Sequence, residues 1–192
     1  MFIQTESTPN PRTLKFLPAR AVLGAGSREF TGPDAAGASP LAQALFAIEG
    51  VERVYLGGDF ITITKLDAIE WRHLKPHVLA AIMDHFTAGR PALLDANAPI
   101  DVSDEAEIAY EGEAAGIVKE IKEIIEARVR PAVARDGGDI TFHSWDHEAG
   151  IVRLNMRGAC AGCPSSALTL KQGIENMLRH YVPEVMGVEQ VV

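Results

Sequence analysis

Gly158-Ala159-Cys160-Ala161-Gly162-Cys163-Pro164-Ser165-Ser166 holds the only two cysteines of this 192-residue chain, two residues apart, at the mouth of an expected helix. Pro164 suits a first helical turn, where no amide donor is needed, so Cys163 falls at or beside the cap and Cys160 just ahead of it. Unpaired amides and the positive helix end favour a thiolate there and offer donors to inorganic sulfide. Gly158 and Gly162 keep side chains away, letting backbone approach a bulky inorganic core. The segment reads as a seat for a shallow, exposed ligand.

Two thiolates at this spacing clamp one metal ion or one iron of a cluster, whereas structural zinc takes four ligands and a four-iron cluster takes four cysteines. One chain therefore supplies half a set. Three chemistries compete to complete it. Zinc would recruit His143, His147 or His180, which have no recognised ligand spacing. A dithiol oxidoreductase would want a strand before the pair in a βαβ setting, with Pro between the cysteines; here Pro follows the second cysteine and the context reads as a hairpin. A second copy of the chain across a two-fold axis would bring four thiolates to one point, enough for a cubane with no other residue.

Outward from the cysteines, the second half reads as helix, strand, strand, helix, strand. Ile117, Ile121, Ile124, Ile125, Val129 and Val133 recur at three- and four-residue steps, and Gly137-Gly138 ends that helix. Pro131 kinks or shortens its last turns. Ile140 to Trp145 and Ile151 to Met156 alternate around His147-Glu148-Ala149-Gly150 as a hairpin. Ala167, Leu170, Ile174, Met177 and Tyr181 stripe the next helix, and Val185 to Val192 gives the last strand.

The first half mixes short strands with helices. Phe2–Glu6, Thr13–Leu17 and Arg28–Thr31 have strand character, and Val51–Leu56 and Phe60–Thr64 flank Gly57-Gly58-Asp59 as a hairpin. Ser39-Pro40 starts a helix that Gly50 ends. A second helix, Trp71–Thr87, turns Leu74, Val78, Leu79, Ile82, Met83 and Phe86 inward. His73, His77 and His85 lie on it as surface or core-edge residues. The expected class is α+β, with two small domains.

Charge marks the boundary. Residues 96–116 carry six acids (Asp101, Asp104, Glu105, Glu107, Glu111, Glu113) and no base, whereas 1–95 and 117–192 each hold nine bases and ten acids. Like charges without apolar periodicity stay solvated, so 1–95 and 117–192 read as domains and 96–116 as a flexible tether. A formal net charge of −8 lacks the basic footprint of a nucleic-acid binder, and no apolar run is long enough for a membrane helix. Met1-Phe2-Ile3-Gln4-Thr5-Glu6-Ser7 shows neither a secretory nor a transit-peptide pattern, and two cysteines give no disulfide framework. A reducing, cytoplasmic location is expected, bacterial cytosol first and an organelle matrix second.

Residues 117–192, through Arg130-Pro131-Ala132-Val133, Asp136-Gly137-Gly138-Asp139-Ile140, the cysteine segment and Thr169-Leu170-Lys171, resemble the NifU C-terminal domain of Nfu iron-sulfur carriers. Residues 1–90, through Thr8-Pro9-Asn10-Pro11, Leu14-Lys15-Phe16, Ser39-Pro40-Leu41-Ala42 and Gly58-Asp59-Phe60-Ile61-Thr62, resemble the Nfu N-terminal domain. The resemblance implies a carrier rather than an enzyme. It implies one [4Fe-4S] cluster per homodimer, held by Cys160 and Cys163 of each subunit, received from upstream assembly factors and passed to apo iron-sulfur proteins. The ferredoxin-like cysteine set of nitrogen-fixation NifU proteins is missing, so carriage is expected over assembly from a cysteine desulfurase. Asp136 to Asp139 belong to the family pattern, and their chemistry reads as a helix stop and turn rather than as ligands.

Overall fold

The computed structural model describes residues 2–94, 109–161 and 164–191, with side chains described from Leu168 onward in the last stretch. It divides into two compact units, Met1–Asp101 and Val102–Val192.

In the first unit, alternation of apolar and polar residues produces β1 (Gln4–Ser7), β2 (Thr13–Leu17) and β3 (Arg28–Phe30), followed by a 3-10 turn and α1 (Pro40–Phe46). Ser39 caps α1 as its sequence demands: its Oγ accepts from the Ala42 amide at 3.0 Å and donates to the Ala92 carbonyl at 2.6 Å. Gly50, at φ 101°, turns the chain into β4 (Val51–Leu56), which pairs with β5 (Ile61–Lys65). The strand order β1-β2-β5-β4-β3 is antiparallel at every pairing. α2 (Trp71–Thr87) completes the unit.

Phe16, Phe30, Leu41, Leu45, Ile61, Ile63, Leu74 and Ile82 fill this core. The inward face of α2 differs from expectation at two positions: Met83 is exposed, and His85 is fully buried. The stripe runs Leu74, Val78, Ile82, His85, Phe86, steps of three and four that leave Met83 off the apolar face.

The second unit opens with α3 (Glu113–Ile124), four residues inside the stretch read as tether. Glu113 suits a helix start electrostatically, and burial of Ile117, Val118 and Ile121 holds that end down. Tyr110 joins the unit too, its hydroxyl accepting from the Trp145 amide at 2.7 Å. The rest of the acidic stretch, from 96 to 108, lies outside the described residues.

A π-helical turn, Ile125–Val129, links α3 to α4 (Arg130–Arg135), and the Arg130 amide reaches back to the Ile125 carbonyl. Pro131 explains it, because proline cannot donate to the carbonyl four residues back and its ring crowds that carbonyl. The outcome is a widened turn rather than an early stop. β6 (Gly138–Asp146) and β7 (Ile151–Gly158) form an antiparallel hairpin, α5 spans Pro164–Tyr181, and β8 (Gly187–Val191) returns parallel to β7. The sheet order is β6-β7-β8. Ile121, Ile125, Ile140, Val152, Leu154, Ile174 and Leu178 form the centre of its core. The α+β class holds for both units.

Candidate functional site

The parallel return of β8 makes β7-α5-β8 a βαβ crossover, and Cys160 lies in the turn that follows its first strand, while Cys163 directly precedes Pro164, the first residue of its helix, in the sequence. Ligands of such crossovers sit beyond the carboxyl ends of the strands. The hairpin context expected from the sequence is therefore only half the story. The strand before the cysteines pairs antiparallel with β6 and parallel with β8, so context alone no longer argues against a redox dithiol. The position of Pro164, first residue of α5 and after both cysteines, still does.

Three glycines shape the seat of Cys160. Gly137 (φ 82°) ends α4, and Gly158 (φ 64°) ends β7, both in the left-handed region that favours glycine. Gly138 pairs across the ladder with Gly158. A Cβ added at Gly138 would lie 2.5 Å from Cys160 Sγ, 2.7 Å from the Arg157 carbonyl and 3.1 Å from the Cys160 amide. The loop is tied down on both sides of the cysteine: the Ala159 amide donates to the Gly137 carbonyl at 3.1 Å, and the Ala161 amide to the Gly158 carbonyl at 3.1 Å.

Behind Gly138, Asp139 is 5% exposed and binds Arg130 through two parallel bonds of 2.8 Å each, while also accepting from the Ile140 amide at 2.9 Å. Such a bidentate pair fixes geometry as well as charge. Hydrogen bonding to Asp139, and then its charge, holds the Arg130 guanidinium above its ordinary pKa against the opposing effect of burial, and Glu126 adds to this at 2.8 Å. Asp136 to Asp139 do stop the helix, as expected. Gly138 among them also meets the thiol, a role the sequence alone hides.

Cys160 departs from the expected shallow, exposed ligand: it is 5% exposed and belongs to the core cluster with Met156 and Val133. Cys163 lies outside the described residues. The candidate zinc histidines do not gather near Cys160. His147 occupies the far turn of the hairpin, roughly 25 Å away along β7, and His180 sits roughly 24 Å along α5 from its start. His143 is five residues up β6 from Gly138, about 17 Å, with Nδ1 3.1 Å from Ser144 Oγ. Among the described residues, no three of His, Cys, Asp and Glu converge as a metal site. In the first unit, His73 and His77 border an open groove with Glu49, Ile48 and Ile69, and His85 is core.

Comparison with known proteins follows the same division. Residues 3–89 match the family described as scaffold protein Nfu/NifU N terminal, and residues 121–189 match the NifU-like domain. NifU-like protein 5, mitochondrial, of Arabidopsis thaliana is 51% identical over 99% of this chain and 68% of its own length. The chain belongs to the Nfu/NifU-like family.

An NFU1 iron-sulfur cluster scaffold homolog, mitochondrial, of Drosophila willistoni is 50% identical over 100% of this chain and 64% of that protein. This Nfu chain thus spans about two thirds of the length of the relatives it matches. The solution NMR structure of a NifU-like protein from Saccharomyces cerevisiae matches at 28% identity and TM-score 0.45, covering 50% of this chain and 86% of that one. The relatives' names overturn the expected bacterial cytosol, because they are mitochondrial and point to an organelle matrix. The cysteine usage on which that expectation rested speaks for a reducing compartment and does not say which one. No helix among the described residues is long and apolar enough to cross a membrane.

Proposed function

We propose that this Nfu chain carries a [4Fe-4S] cluster as cargo between two copies of itself, held by Cys160 and Cys163 of each, and releases it to apo iron-sulfur proteins. The donor count supports this reading most directly. Each chain has two cysteines, two residues apart in the sequence, and a cubane takes four. Beside the loop, Gly138 leaves room for the Cys160 sulfur, since a Cβ there would lie 2.5 Å from Sγ.

Release proceeds by ligand exchange and needs no redox step. An incoming client thiolate binds an iron, a carrier cysteine leaves as thiolate and takes up the proton that the client thiol gave up. Repetition at Cys160 and Cys163 hands the cluster over as the dimer separates. No substrate bond is broken, so the role is carriage and not enzymatic turnover. The first unit has no cysteine, and its part is to engage a client or an upstream assembly factor while the second presents the cargo, which raises effective concentration.

The test is oxygen-free reconstitution followed by iron and sulfide analysis. Wild type should take up both, while Cys160→Ser or Cys163→Ser should take up neither. Thiol-disulfide turnover without metal uptake would replace this reading with that of a dithiol oxidoreductase.

A further inference from the structure

We propose that Gly138 is a stowage seat for the Cys160 thiol: the apo chain keeps the sulfur tucked against the start of β6, and loading requires it to turn outward. The inference deepens the carrier reading, on which it rests. Four thiolates meeting at a point between two subunits must stand at the surface, yet Cys160 is 5% exposed. A bridging role and the observed position therefore demand two placements of one sulfur.

The local structure supplies them. Amide bonds from Ala159 to Gly137 and from Ala161 to Gly158 hold the backbone on either side, which leaves the Cys160 side chain as the part that moves between staggered rotamers. Gly138 makes the inward position possible, because the space that its missing Cβ would occupy lies 2.5 Å from Sγ. The Arg130–Asp139 pair, one residue further on, ties the start of β6 to α4. Stowing the thiol shields it from oxidants and alkylating agents while no cluster is present, since such damage follows exposure.

The experiment uses full-length apo protein carrying Cys163→Ser, so that Cys160 is the only thiol, and follows its alkylation by iodoacetamide with mass spectrometry. Native protein should react at least roughly tenfold more slowly than the same protein in urea, because reaction must wait for local opening. Adding Gly138→Ala should speed the native reaction several-fold while circular dichroism retains the helical signal. Native protection absent at Cys160 overturns the proposal, and so does a folded Gly138→Ala variant that reacts no faster. Should Gly138→Ala fail to fold, because its Cβ also meets the Arg157 carbonyl, the native-against-urea comparison decides by itself. No cluster enters the measurement. A protected thiol in a protein that takes up no iron would sink carriage and leave the seat standing.

Discussion

The two units are assembled from the same materials, a sheet with helices packed on an apolar core, yet only one has a βα loop that presents cysteine. The first pairs its five strands antiparallel throughout, and α1 and α2 serve as cover. The second returns β8 parallel to β7 through α5, which opens a loop at a strand's carboxyl end against a helix start. Beside that loop, Gly138 clears the space that the Cys160 sulfur takes. Topology, more than composition, separates the unit to which we assign the cargo from the unit to which we assign the partners.

Removing one side of the comparison gives the largest effect. A chain lacking residues 1–95 should bind cluster undiminished but transfer it to clients roughly tenfold more slowly, as effective concentration is lost. Measured transfer at the full-length rate would deprive the first unit of its assigned role.

A single charge in the second unit comes next. Asp139→Ala leaves the partly buried Arg130 without its bidentate partner and should cost about 2 kcal/mol in chemical denaturation of that unit. Unchanged stability would mean that the pair does not hold β6 to α4.

The smallest effect belongs to His85, the buried histidine of the first unit. Burial, and secondarily the Arg90 charge, lower its pKa below the ordinary 6.5. The folded unit thus keeps the ring neutral while the unfolded chain takes a proton, so the stability present above pH 6.5 falls as pH drops below it. The slope should approach about 1 kcal/mol per pH unit, and His85→Leu should flatten it. A first unit equally stable at pH 5 and pH 8 would contradict this assignment.

Much of the fold was legible because it is written locally. β2 at Thr13–Leu17, β4 at Val51–Leu56 and α2 at Trp71–Thr87 lie where alternation and helical stripes put them, and Ser39 caps as its position before Pro40 implies. Features that depend on residues distant in sequence were not legible. The parallel pairing of β8 depends on where an 18-residue helix lands. Gly138 meets Cys160 only after the hairpin folds back upon itself, so a helix-stop signal hid a second purpose. Leu178, at the centre of the core, and the burial of His85 were settled by packing that periodicity approximates to within a residue. Pro131 announced a disturbance without specifying that a widened turn would absorb it.

Native mass spectrometry of anaerobically reconstituted protein addresses the shared site most directly. The cluster-bearing species should weigh two chains plus one four-iron, four-sulfide core, with apo chains outside it. A single chain carrying the whole core would contradict the account.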